Sequence, residues 1–322
     1  MEIYNHLILG LYGAAQECTP TEFSEQALSQ LKTALHFDSG VMMNIDVVGG
    51  DKLTIRSMHL SNQPLEQLLA WDQLETPDYV LDAAFRQRGA TLTNISRDTF
   101  GAHADFMDYC HRFEIAHTLI QISQPLAPNS VDLMSLWRAR PEQRYVERDR
   151  KLSDLLLPHV FQASRVSRRL FDQPDAGPPQ HVSVLASLHG CLHTAPADAI
   201  TLLQREWREW SPPLLPPQLM RQLASSQQLL YNGDHIVVKA ETLGPALHLQ
   251  IAQRPATKLT AAEWNVAQLA AQGLSYKDIA RQLDNSPATV RNQLHSVYNK
   301  LGVENKTQLA ALWPAVMPQT LS

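Results

Sequence analysis

The chain has 322 residues, 44% hydrophobic and 18% charged, a balance that suits two or three folded domains and excludes long disorder. Its formal charge of −5 excludes a polycation that would coat nucleic acid with its whole surface. From Ala256 onward, however, six basic residues face four acidic ones, so a mildly positive tail follows an acidic body. Three cysteines, Cys18, Cys110 and Cys191, stand far apart with no close pair, so neither a disulfide framework nor a zinc site is expected. The opening stretch, "MEIYNHLILGLYGAAQ", reads as a helix. It lacks a basic leader and is too interrupted to span a bilayer, so a cytoplasmic protein is expected.

In chain order, "EFSEQALSQLKTAL" has helical periodicity, and "SGVMMNIDVV" and "KLTIRSMHL" read as strands joined at Gly49 to Asp51. "PLEQLLAWDQL" and "DYVLDAAFRQR" read as helices, "HTLIQISQPL" and "DLMSLWRAR" as strands. "ERDRKLSDLLLPHVFQASRVSRRLF" closes this part as a long helix. Helices around two hairpins predict an antiparallel sheet flanked by helices, an α+β sensor-type domain over residues 1–170.

A Pro-, Asp- and Gly-rich linker over 171–180 separates it from a smaller α+β unit over 181–254. There, "HVSVLASLHGCLHTA" predicts two strands about His189-Gly190. "DAITLLQREWREW" and "PPQLMRQLASSQQLL" predict helices, and "HIVVKAE" and "ALHLQIAQ" two more strands.

The tail, 256–314, is all-α. Thr260 and Glu263 form a capping box, and Gly273 is placed to end that helix. Ser275 caps "YKDIARQL". Ser286 caps a third helix with Pro287 at its first position, where a missing N–H costs nothing. Gly302 ends that helix, Asn305 begins "KTQLAALW", and Pro314 is expected to stop it. Two short helices joined by a tight turn, the second with a polar N-terminal face, predict a helix-turn-helix. Such a helix fits the major groove of DNA. Arg291, Asn292 and His295 are placed to reach base edges, and Ser275, Lys277, Thr289 and Gln293 to meet phosphate.

These residues carry a resemblance. The stretch from Leu259 to Leu312 is similar to the DNA-binding domain of the LuxR family of bacterial transcription regulators. The family's markers occur in order as Leu259, Thr260, Glu263, Gly273, Ser275, Lys277, Ile279, Ala280, Ser286, Thr289, Val290, Lys300, Leu301, Gly302 and Val303. Ala262 replaces the usual Arg, and Gln293 the usual His. The resemblance implies a homodimer on an inverted-repeat operator, with RNA polymerase as a further partner. It also implies pairing through the last helix, for which Leu309, Leu312 and Trp313 are the candidates.

The front of the chain lacks the acidic pair of a phosphorylated receiver domain. Its order of elements is similar to a GAF-type sensor domain, and the second unit to a small PAS-type domain. Trp71, Asp78 and Tyr79 faintly resemble the pocket residues of acyl-homoserine-lactone receptors in the same family; the alternative is half-buried packing. His111 and Glu114, three apart, would share a helical face, but no metal or other cofactor is expected. Cys110 is either a reactive thiol beside His111 or a buried inert one. No nucleophile elbow, P-loop or dinucleotide motif is present, so no enzyme is expected. The expectation is a transcription regulator whose front domain senses a small molecule. The alternative is a ligand-independent regulator whose front domains only dimerise.

Overall fold

The computed structural model describes residues 2–48, 52–124, 130–171, 181–225, 229–244, 246–254 and 259–316. The turn expected at Gly49 to Asp51, all of the expected linker but Phe171, and the break at 255–258 lie outside the described residues.

Two helices open the chain, α1 (Glu2–Glu17) and α2 (Pro20–Lys32). A capping box starts α2: the Thr19 hydroxyl accepts from the Glu22 N–H, and the Glu22 carboxylate accepts from the Thr19 N–H. Then come β1 (Ser39–Val48), β2 (Lys52–Ser61), α3 (Glu66–Trp71), α4 (Tyr79–Arg86), β3 (Thr91–Ile95), α5 (Ser96–Phe100) and α6 (Ala104–Arg112). After these follow β4 (His117–Ile122), β5 (Ser130–Arg138) and the 25-residue α7 (Glu147–Phe171). The sheet is antiparallel in the order β2-β1-β5-β4-β3. Leu11, Phe23, Leu31 and Leu156, from α1, α2 and α7, close over Met42, Leu119, Met134 and Leu136 of the strands. Each such fully buried side chain contributes about 1.5–3 kcal/mol.

One patch on this helix-covered side is charged. Asp132 on β5 is only 3% exposed. It accepts from Arg165 Nε at 2.6 Å and from an Arg168 terminal nitrogen at 2.7 Å, both on α7. The Asn44 amide on β1 donates to it at 3.0 Å. A carboxylate this deep is tolerated only with such partners.

The second sheet is made by β6 (Val182–Ser187), β7 (Leu192–Thr194), β8 (Leu230–Asn232), β9 (Ile236–Leu243) and β10 (Ala246–Gln253), with α8 (Ala197–Glu206) and α9 (Pro217–Ser225) between β7 and β8. Its order, β7-β6-β10-β9-β8, repeats the first sheet strand for strand. At the tight turn into β7, Gly190 has φ +84°, and a Cβ there would stand 3.3 Å from Met220, so glycine is required. Four helices end the chain: α10 (Ala261–Ala271), α11 (Tyr276–Gln282), α12 (Pro287–Leu301) and α13 (Lys306–Val316). By compactness the chain falls into two units. One is residues 1–173 with 191–195; the other is 174–190 with 196–322.

Several expectations need correction. Strands β3 and β8 and helix α5 were not legible, being five, three and five residues long. Glu114 does not continue the helix of His111: α6 ends at Arg112, and Glu114 has φ +55°. Pro314 does not stop the last helix, which runs on to Val316.

Candidate nucleic-acid interface

The terminal helices enclose a core of their own. Trp264, Val266, Ile279, Val290, Val297 and Leu309 are fully buried, and Trp313 nearly so, with its ring 4.9 Å from that of Trp264. The caps fall where the sequence placed them. The Thr260 hydroxyl accepts from Glu263 N–H, Ser275 from Asp278 N–H and Ser286 from Thr289 N–H, while Gly302 closes α12 at φ +69°. Each polar cap contributes about 1 kcal/mol.

Glu263 does more than cap. Its carboxylate accepts from Lys300 Nζ at 2.7 Å and from the Ser296 hydroxyl at 2.6 Å, tying α10 to the C-terminal half of α12. Burial would push this carboxyl up. The hydrogen bonds from Lys300, Ser296 and Thr260 outweigh it and hold the group down at about 2.

With Val290 and Val297 anchored inward, the other side of α12 is left to solvent. Arg291, Asn292 and His295, the candidate base readers, are all exposed on one helix. Ser275, Lys277 and Thr289 are exposed near its start, though Ser275 donates to Asp278 at 2.6 Å and Thr289 shares a hydroxyl bond with Ser286. Gln293 stands apart from the set: it is half-buried, and its Oε1 is enclosed without a hydrogen-bond partner. The sequence reading missed Tyr276. Its exposed ring, at the first position of α11, lies beneath the Arg291 guanidinium at 5.2 Å. A cation over an aromatic face is attracted to it, so Tyr276 restrains the arginine.

The dimer assignment on α13 is corrected. Leu309 and Trp313 face the core of their own domain, 0% and 6% exposed, and cannot also face a second subunit. Leu312 is half-buried, beside exposed Thr307, Gln308 and Ala311.

Within the same compact unit, two buried contacts join these helices to the second sheet. The Asn232 amide on β8 donates to Gln268 on α10 at 2.7 Å. Arg254, 9% exposed, donates to the carbonyls of Gly233 at 2.8 Å and Leu259 at 2.7 Å, with its guanidinium 5.2 Å from the Trp264 ring. Burial lowers the pKa of this arginine from its usual value.

In the first unit, Trp71 and Asp78 do meet: the indole N–H donates to the carboxylate at 3.1 Å. The other oxygen of Asp78 caps α4, accepting from Val80 and Leu81. Burial pushes the Asp78 carboxyl up. Tyr79 is 41% exposed, stacked on Phe100 at 5.9 Å and next to His103 at 5.7 Å. Cys110 is 3% exposed and burial pushes its thiol up to about 11, which disfavours a reactive thiolate. His117 is a core histidine, its Nε2 2.9 Å from the Pro141 carbonyl. Among the described residues no helix is long and apolar enough to cross a membrane.

Residues 257–313 match the family of bacterial regulatory proteins named luxR. Proteins named as HTH-type transcriptional regulators of Mycobacterium bovis and Mycobacterium tuberculosis are 47% identical to this chain over 60 residues. That stretch is 18% of this chain and 7% of each relative. Among solved structures, SdiA in complex with octanoyl-rac-glycerol aligns over 96% of this chain and 93% of its own, at 12% identity and a TM-score of 0.40. The N-acylhomoserine lactone dependent LuxR-family factor CepR2 of Burkholderia cenocepacia aligns over 52% of this chain and 99% of its own, at 13% identity and a TM-score of 0.39. The GAF domain of a sensor histidine kinase of Bacillus halodurans covers 47% of this chain and 95% of its own, at 17% identity and a TM-score of 0.30. The helices at the end of the chain, α10 to α13, form a LuxR-family helix-turn-helix domain.

Proposed function

We propose that the protein is a homodimeric transcription regulator that reads an inverted-repeat operator in double-stranded DNA through α12 and answers to a small molecule held in its first unit. The observation that carries the DNA reading is the exposed row Arg291, Asn292 and His295 on a helix whose opposite side is locked into a core. Arg291 suits the O6 and N7 of guanine, and Asn292 the edge of adenine. Ser275, Lys277, Thr289 and the amide nitrogen of Gln293 flank them as phosphate contacts. Two copies would set their recognition helices about 34–36 Å apart, one turn of the duplex. With Leu309 and Trp313 enclosed, pairing through α13 falls to Leu312 and the exposed residues around it. In the first unit, the aromatic cluster bordered by Trp71, Asp78 and Tyr79 is the proposed wall of the sensing pocket. RNA polymerase is a further proposed partner.

The test is selection from a library of random duplexes by the full-length protein at modest ionic strength. An enriched inverted repeat, bound with a steep salt dependence, is expected. Equal recovery of all duplexes would overturn the reading. The sensing half is tested separately, by measuring affinity for the selected operator with and without candidate small molecules.

A further inference from the structure

The charged patch around Asp132 borders a cleft that the DNA-binding reading leaves without a role. The cleft measures about 380 Å³ including its mouth, which opens to solvent. Its floor follows from strand register. Ser57 lies opposite Asn44, and Asn44 opposite Asp132, so the three side chains form one row across β2, β1 and β5 on a single side of the sheet. His59, opposite Met42, occupies the next row on that side. Phe161, Ser164 and Arg168 of α7 and His193 also line the cleft.

Two properties of this cleft point to an occupant. The first is charge. Among the described lining residues only Asp132 and Arg168 are formally charged, and Arg165, outside the lining, also bonds to that carboxylate. One acid between two guanidiniums leaves a surplus of one positive charge. The imidazoles do not alter it at neutral pH: burial brings His59 down to about 4 and lowers His193 as well. The second is unused hydrogen-bonding capacity. The Ser164 hydroxyl accepts from Arg168 at 2.8 Å and keeps its own proton to give. Ser57 is 6% exposed, and its hydroxyl has no partner among the described residues. The Nδ1 of His59 is enclosed and unpartnered. A partly buried positive charge beside hydroxyls with protons to give is unfavourable when empty, and an anion relieves both costs.

We propose that this cleft binds a small monocarboxylate. Its carboxylate sits between Arg168, Ser57 and Ser164, and its hydrocarbon part lies against Met42 and Phe161. One negative charge matches the surplus of one, whereas a phosphate dianion would leave an uncompensated charge of the opposite sign. The site is distinct from the aromatic cluster at Trp71 and does not depend on the DNA reading.

Thermal unfolding of the full-length protein, without DNA, tests it in sodium acetate and sodium propionate, against sodium phosphate and sodium chloride at matched ionic strength. A saturable rise in melting temperature is expected with the two carboxylates only. Arg168→Met is expected to weaken the apparent affinity at least 10-fold, Arg165 still covering Asp132. Ser57→Ala should weaken it about 3-fold with little effect on folding, and it decides alone if Arg168→Met shows no cooperative transition. No saturable effect, saturation by phosphate but not by acetate, or saturation unchanged in the variants that fold would each overturn the proposal.

Discussion

Glu263, in the first turn of α10, and Lys300, in the last turn of α12, hold each other at 2.7 Å across the helix-turn-helix domain. The pair ties the first turn of α10 to the last turn of α12. Only 10% of the Glu263 side chain is exposed, so removing one partner strands a charge. Lys300, at 33%, remains partly screened by water. Glu263→Ala is expected to destabilise the domain by about 2 kcal/mol, read as an earlier loss of helical signal in urea.

The same carboxyl gives the domain an acid limit. Its pKa falls from an ordinary 4.5 to about 2 on folding, so the folded state holds this proton less tightly than the unfolded chain. The stabilisation is therefore complete above about pH 4.5 and disappears as the pH falls from there towards 2. Circular dichroism of the parent should show helix loss over that window, and Glu263→Gln should flatten the dependence.

Arg291→Ala should reduce preference for the selected operator over random duplex by about 5- to 150-fold, the 1–3 kcal/mol of a bidentate base contact. Folding should be unchanged, since the side chain is exposed. Equal discrimination by variant and parent in a competition assay would show that another residue reads the base.

Tyr276→Ala frees the Arg291 guanidinium from its ring and should weaken operator binding about 2- to 5-fold, corresponding to about 0.5–1 kcal/mol. Tyr276→Phe keeps the ring and should bind like the parent. A loss in both variants would instead assign the phenolic hydroxyl to a DNA contact.

Trp313→Ala should cost about 3–5 kcal/mol by emptying the space against Trp264, and should unfold the domain before it affects any pairing of subunits. Leu312→Ala leaves that core intact. Sedimentation of the two variants separates packing from pairing.

What the sequence revealed and what it withheld divide by range. The caps at Thr260, Ser275 and Ser286 were legible because each acts within three residues of itself, and the long strands because their apolar residues are contiguous. Glu263 was read as half of a capping box and as a family marker: its bond to Lys300 spans 37 residues, and nothing local announces it. The clasp of Asp132 by Arg165 and Arg168 was hidden in the same way. Leu309 and Trp313 mark a stripe, and a stripe does not say whether it faces its own domain or another chain. Tyr276 carried no signal until folding brought it under Arg291. Trp71 and Asp78 were singled out together, but nothing in the sequence announced that the indole N–H donates to that carboxylate.

Arg254 bears on more than local stability. Its guanidinium holds a carbonyl before residues 255–258 and another after them, while Asn232 and Gln268 clasp nearby. A reading head on a slack tether forfeits its freedom to swivel only when it meets a duplex. On the proposed function, these contacts surrender that freedom during folding, so grasping a half-site would carry a smaller entropic penalty.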